Sequence, residues 1–386
     1  MISLLLAIIY LSFISLGLPD GLLGAAWPTM CVEMDVPVSY AGLISITIAG
    51  GTIISSLLSD RLTLRFGTGK ITAISVAMTA LALLGFSLTK NYWLLFLWAI
   101  PYGLGAGSVD ASLNNYVALH YASRHMSWLH CMWGIGATLG PYIMGWALTE
   151  GQGWNAGYRY VSVLQMVLAA VLAFSLKIWK ERKNDPSGEN DAQRGALSLR
   201  EIVKIPGARE VMIGFFCCCA LENTAMLWGS TYLVRQIGIH EERAAGLASL
   251  FFIGMTTGRF ISGFLTMKFN DTNMIRLGQS IIGLGVVVML LPLGESAATA
   301  GLLVIGLGCA PIYPSIIHST PEHFGEENCQ ALIGVQMASA YTGTLLMPPV
   351  FGLIANHISV SLLPVYMGVI LLVMIVMCEA LNRKTR

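Results

Sequence analysis

Long apolar runs separated by short polar punctuation dominate the chain. A membrane-spanning helix needs about 20 mostly apolar residues. Runs of that kind lie near 3–30, 38–59, 71–89, 92–117, 128–149, 158–179, 209–234, 245–266, 273–293, 297–318, 329–354 and 360–381. Polar breaks such as Asp60–Lys70, Ala122–Met126 and Asn270–Asn273 divide them. The pattern predicts an all-α membrane protein of twelve transmembrane helices. The first run, from Ile2 to about Met30, follows no basic stretch and is longer than a signal h-region, so it reads as a retained span. One long hydrophilic stretch interrupts the pattern halfway, and its KERKNDPSGENDAQR can neither span nor pack a core. It predicts a linker over 180–207 between helical halves at 1–179 and 208–386.

The halves resemble each other. GGTIISSLLSDRLTLRF (50–66) and IGMTTGRFISGFLTMKF (253–269) align at a shift of 203 residues, which sets Gly51 on Gly254 and Arg65 on Lys268. The same shift sets GLGAGSVD (103–110) on GLGCAPIY (306–313). Gly136, Pro141 and Gly145 share their spacing with Gly343, Pro348 and Gly352. Tandem six-helix halves predict two pseudo-symmetric bundles, a substrate site near the membrane midplane and alternating access.

Composition sharpens the membrane reading. Of 386 residues 55% are hydrophobic and only 11% charged, with mean hydropathy +0.69, against about 25% charged in soluble domains. A net charge of +1 points to no nucleic-acid partner. The eight cysteines sit mostly in apolar runs and form no CxxC pair, so neither a disulfide framework nor a metal site is expected. Lys and Arg are concentrated in the loops on the side of the termini, including Arg61, Arg65, Lys70, Arg124, Lys177 to Arg209, Lys268, Arg276 and Arg383 to Arg386. The other side carries only Lys90, Arg159, Arg235 and Arg243. The bias predicts both termini in the cytoplasm, in a cell membrane.

The motifs resemble the major facilitator superfamily, and within it the fucose/glucose (hexose) permease branch. SLLSDRLTLRFGTGK (56–70) resembles the superfamily signature between the second and third helices, with Ser56 where glycine is usual. LHCMWGIGATLGP (129–141), ALENTAMLWGSTYL (220–233), FFIGMTTGRFISG (251–263) and APIYPSI (310–316) resemble the branch's fifth, seventh, eighth and tenth helices. The resemblance implies the major facilitator fold and sugar uptake driven by a proton or sodium gradient. It implies no cofactor. GIGATLGP (134–141) also resembles the fifth-helix motif of exporters, which keeps export of drugs or metabolites open. No HExxH, GxSxG or clustered His/Cys set supports an enzyme. Short loops predict a monomer whose partners are a small solute, a proton and lipid.

Ionisable residues inside spans are costly and tend to face a bundle interior or a watery cavity. Asp20, Asp110 and Glu222 are the carboxylates so placed, and the expectation is proton coupling. An acid on the first helix and one on the fourth match the fucose-transporter pattern, with Asp110 one methylene shorter than its Glu. Burial disfavours the charged form of a carboxyl, so such a group can take up and release a proton. Sugar hydroxyls call for polar groups and the sugar ring for an aromatic face. Asn114, Asn115, His130, Asn223, His318 and Gln336 are the polar candidates, and Trp27, Trp133, Trp228, Tyr313 and Tyr341 the platforms. On a continuous helix Trp27 shares a face with Asp20, seven residues earlier. The competing readings are interfacial anchoring for the tryptophans, a gate-lining place for the histidines and plain packing for the tyrosines. Asp60, Arg61, Arg65 and Arg259 are expected to form an ion-pair gate.

Overall fold

The structure is a computed structural model that describes residues 4–37, 40–179, 197–240, 247 and 250–385. Most of the expected linker (180–196), the starts of the first, second and eighth runs, Arg243 and Arg386 lie outside the described residues.

Ten segments among the described residues are helices long and apolar enough to cross a membrane. They are Leu4–Trp27, Tyr40–Phe66, Thr68–Leu88, Tyr92–His120, Trp154–Ile178, Ala208–Arg235, Asp271–Leu290, Glu295–His318, Glu326–His357 and Val360–Thr385. Two more helices fill the remaining places. Ser123–Thr149 is long enough but less apolar, since it opens with Arg124 and His125. Leu250–Leu265 is apolar but short, with 241–246 and 248–249 outside the described residues. Numbered in chain order, these are the twelve spans the sequence predicts, the fifth and eighth being the last two named. Their outer surfaces carry large apolar side chains such as Phe174 (87% exposed), Trp93 and Leu353. That exposure is stable only in lipid.

The first span departs from the expected continuous helix. It runs as Leu4–Gly17, breaks through residues 18–21 and resumes at Leu22–Glu33. Pro19 lacks an N–H, and Gly21 tolerates the bend. Asp20 therefore sits in a turn, with its backbone N–H on the Gly17 carbonyl at 3.1 Å.

Contacts divide the chain into two units, Met1–Tyr116 with Leu129–Ser198, and Val117–Trp128 with Leu199–Arg386. In the first, the third span packs on the sixth. The first span also meets the fifth, where a side chain at Gly136 or Gly140 would strike the Ile14 or Leu18 carbonyl. In the second, the seventh span packs on the eleventh and twelfth, and the eighth and ninth on the tenth.

The sequence repeat reappears as atomic contacts. A Cβ on Gly103 would run into the Ile48 carbonyl, and one on Gly306 into the Phe251 carbonyl, both pairs 203 residues apart. A Cβ on Gly105 would meet Ser75 O, and one on Gly308 would meet Gly278 O, again at that shift. Small residues let backbones approach without a water-driven hydrophobic force, which is absent between helices in lipid. The glycines of the fourth and tenth spans thus serve helix packing. Prolines lie inside the fourth (Pro101), fifth (Pro141), tenth (Pro311, Pro314) and eleventh (Pro348, Pro349) spans. They loosen the backbone where neighbouring helices can satisfy it.

Candidate functional site

The first unit gathers polar groups from its first, fourth and fifth spans. Asp20, freed from helical geometry by the turn, accepts a 2.8 Å hydrogen bond at Oδ2 from the Trp133 indole N–H. Tyr102 and Asp110, both of the fourth span, are neighbours of Asp20. Asp20 is exposed, whereas Asp110 is buried at 4%. Asn114, one turn beyond Asp110, donates to its Oδ1 at 2.8 Å and to its backbone carbonyl at 3.0 Å. The Asn114 carbonyl oxygen lies 3.1 Å from His130 Nε2, so the ring nitrogen donates. Phe13 meets that imidazole edge-on, at 5.4 Å. The result is a chain from carboxylate through amide to imidazole, beside a second carboxylate held by an indole. Neighbouring carboxylates disfavour being charged together.

A cavity of about 10 Å³ adjoins this cluster, lined by residues that include Ser12, Ser15, Pro19, Thr79, Tyr102 and Gln165. Ser15 Oγ and Gln165 Oε1 have no protein hydrogen-bond partner among the described residues. The space and these atoms suit a single water.

The second unit is organised differently. Glu222 and Arg259, on the seventh and eighth spans, form an ion pair at 3.5 Å with side chains 8% and 4% exposed. Glu222 Oε2 has no hydrogen-bond partner among the described residues. Asn223 donates to the Cys219 carbonyl at 3.0 Å and to Thr344 Oγ1 at 3.1 Å. Trp228 donates to the Pro348 carbonyl at 2.9 Å. The Tyr313 hydroxyl reaches Met337 Sδ at 3.3 Å, and its ring tilts against Phe215. Gln336 is fully buried and exchanges hydrogen bonds with Thr320, and Tyr341 is half-buried.

Several expectations need correction. Trp27 does not share a face with Asp20, because the turn at 18–21 breaks the helical repeat. Its ring is 4% exposed, packed among Leu22, Met30 and Ile44 and edge-on to Tyr92, so it presents no platform to a ligand. Arg259, expected deep in the eighth span as the second half's gate residue, is buried. It lies within the eighth span, where only an opposite charge offsets its burial, and Glu222 supplies one. Arg61 and Arg65 are exposed and Asp60 half-buried, with the Arg65 guanidinium 5.3 Å from the Phe66 ring centre. Asn115 is buried with Oδ1 unpaired among the described residues.

Sequence reasoning missed the Trp133–Asp20 bond, the Glu222–Arg259 pair and the partners of His318. The ring of His318 lies between Asp271 and the Tyr121 carbonyl, at 2.6 and 3.0 Å. Each joins residues 37 to 197 apart. The one usable signal was charge inside a span, which flagged Asp20, Glu222 and Arg259 singly.

The sequence profile of the Major Facilitator Superfamily matches residues 9–293 and 211–385. A cis,cis-muconate transport protein of Acinetobacter baylyi is 21% identical over 355 residues, covering 87% of this chain and 83% of that protein. Among solved structures, the fucose:proton symporter FucP of E. coli superposes with a TM-score of 0.74 at 14% identity, over 97% of both chains. The proton:xylose symporter XylE superposes with a TM-score of 0.79 at 11% identity, over 99% of this chain and 95% of that one. These likenesses establish the twelve-helix, two-bundle fold.

Proposed function

The chain belongs to the major facilitator superfamily and is a multi-pass membrane transporter, and on that premise we propose that it takes up a monosaccharide together with protons by alternating access. The observation that carries the reading is the first unit's pair of carboxylates. Asp20 is held by the Trp133 indole, and Asp110 is tied through Asn114 to His130. Asp20 and Asp110 are the coupling acids. Trp133 offers a half-buried aromatic face beside an acid, the texture a sugar ring and its hydroxyls call for. Asn223, Trp228, Tyr313, Gln336 and Tyr341 are the second half's contribution to recognition, and Asp60, Arg61 and Arg65 belong to a gate. Halves 1–179 and 208–386 joined by 180–207, cytoplasmic termini, a cell-membrane location and a monomeric state are parts of the same reading, supported by the charge asymmetry of the loops.

The test is transport in liposomes under an inward proton gradient. L-fucose, D-glucose and other hexoses are added singly while luminal pH is followed, with Asp110→Asn alongside. The expected result is lumen acidification by one sugar, lost in the variant. If no sugar moves protons, the sugar reading falls.

A second reading has its own support. A buried arginine suits an organic anion, and Arg259 is buried within the eighth span, where on this reading the anion shares it with Glu222. The muconate transport protein among the relatives carries a dicarboxylate by name. On this reading cis,cis-muconate, added in the same assay, is taken up and the hexoses are not.

A further inference from the structure

We propose that His318 and Asp271 form a separate proton-binding site, which latches the connection between the fourth and fifth spans onto the ninth and tenth. The inference rests on the chain being a transporter and is independent of the sugar reading and of Asp20 and Asp110.

The proton follows from counting donors. His318 Nε2 lies 3.0 Å from the Tyr121 backbone carbonyl, which can only accept, so Nε2 carries a hydrogen. Asp271 Oδ1 accepts from the Ser123 hydroxyl at 2.5 Å. His318 Nδ1 lies 2.6 Å from Asp271 Oδ2, so a second hydrogen lies between those two atoms. Histidine and carboxylate together hold two hydrogens. A neutral imidazole beside a charged carboxylate holds only one. It would leave one ring nitrogen with its lone pair facing an oxygen lone pair, and the contact to Tyr121 or to Asp271 would turn repulsive.

The surroundings fit a latch. Asp271 is free for this role because Asn270 caps the ninth helix instead, accepting from Asn273 N–H at 3.0 Å. Segment 117–128 packs within the second unit although the rest of the fourth and fifth spans does not. Its far end is fitted as well. The Trp128 indole lies where a Cβ on Gly263 would be, and meets Phe264 edge-on at 5.6 Å. The charged groups acting on His318 are Asp271 from the ninth span and Glu322 from the short helix Thr320–Phe324, and the segment itself carries Arg124 and, edge-on to Tyr121, His125. With the proton bound, His318 bridges Asp271 and Tyr121. With it gone, one bridge breaks and the segment is released.

The test uses Ala122→Cys as a reporter, since Ala122 is exposed and all eight native cysteines are buried. Maleimide labelling of the full chain in detergent is followed from about pH 5 to about pH 9, spanning the ordinary range of a histidine. Each rate is divided by that of a model thiol peptide at the same pH. Normalised labelling is expected to be slow at low pH and to rise about tenfold as the proton is lost, the scale of one charge-assisted hydrogen bond. Asp271→Ala and His318→Ala, which remove the bridging groups outright, should label fast at every pH. Should either latch variant fail to fold, the profile of the unaltered latch decides alone. Protection that does not change with pH overturns the proposal, as does a pH profile that survives in Asp271→Ala.

Discussion

The two units hold a carboxylate of a membrane span in opposite ways. In the second, Glu222 is neutralised by Arg259 at 3.5 Å. In the first, Asp20 takes its hydrogen bond from a neutral donor, the Trp133 indole, and among the described residues it has no ion-pair partner. Protonating the acid of such a pair strands the arginine. An acid held by neutral donors can be charged or neutral in place. On the proton-coupled reading, the difference places coupling in the first unit and a charge-compensated pair in the second.

The largest effect tests that division directly. Asp20→Asn and Asp110→Asn should each abolish gradient-driven accumulation while leaving equilibrium exchange of substrate intact. Counterflow and gradient-driven uptake, measured side by side in liposomes, separate the two. If Glu222→Gln uncouples instead, and both aspartate variants still accumulate substrate, the division is reversed.

Next in size is the cost of breaking the compensated pair. Arg259→Met leaves Glu222 buried without its cation, a loss of about 3–5 kcal/mol. Adding Glu222→Gln should restore most of it, since a neutral pair removes the stranded charge. Thermal unfolding in detergent reads both. An additive double variant would mean the two side chains are not coupled.

Much of the fold was legible because lipid imposes one rule on every span. Each needs an apolar run of sufficient length, and the runs in the sequence locate all twelve. The repeat was legible because glycine contacts recur at fixed depth, as Gly103 on Ile48 and Gly306 on Phe251 demonstrate. The turn at Pro19–Gly21 could be read only as a bend, and the expectation for Trp27 failed because helical spacing was carried across it. The polar partners were invisible for a different reason. Periodicity says which residues share a face, not which helix that face meets. Spans bathed in lipid and buried against several neighbours have little polar–apolar asymmetry to indicate it. Trp133 and Asp20, 113 residues apart, illustrate the limit.

The repeat itself predicts a matched pair of effects. Gly103→Ala and Gly306→Ala each force a methyl group into a carbonyl of the neighbouring span, Ile48 or Phe251. Overpacking of this kind costs about 1–3 kcal/mol. Equal losses in thermal stability would mean the halves use the contact alike. A loss confined to one variant would mean that the other half yields at that crossing.

The finest discrimination lies in two indoles. Trp133 donates to the Asp20 carboxylate and Trp228 to the Pro348 carbonyl, at 2.8 and 2.9 Å. The distances are nearly the same, so geometry does not separate them; the charge on the acceptor does. A hydrogen bond to a charged group contributes about 1.5–3 kcal/mol, and one between neutral groups about 0.5–1.5 kcal/mol. Trp133→Phe should therefore weaken the protein more than Trp228→Phe at high pH. At low pH, where Asp20 binds its proton, the two losses should converge. Trp228→Phe should show no such dependence, because a carbonyl does not titrate. Thermal unfolding of both variants across pH checks this. Parallel losses at every pH would mean that Asp20 does not change charge in this state of the protein.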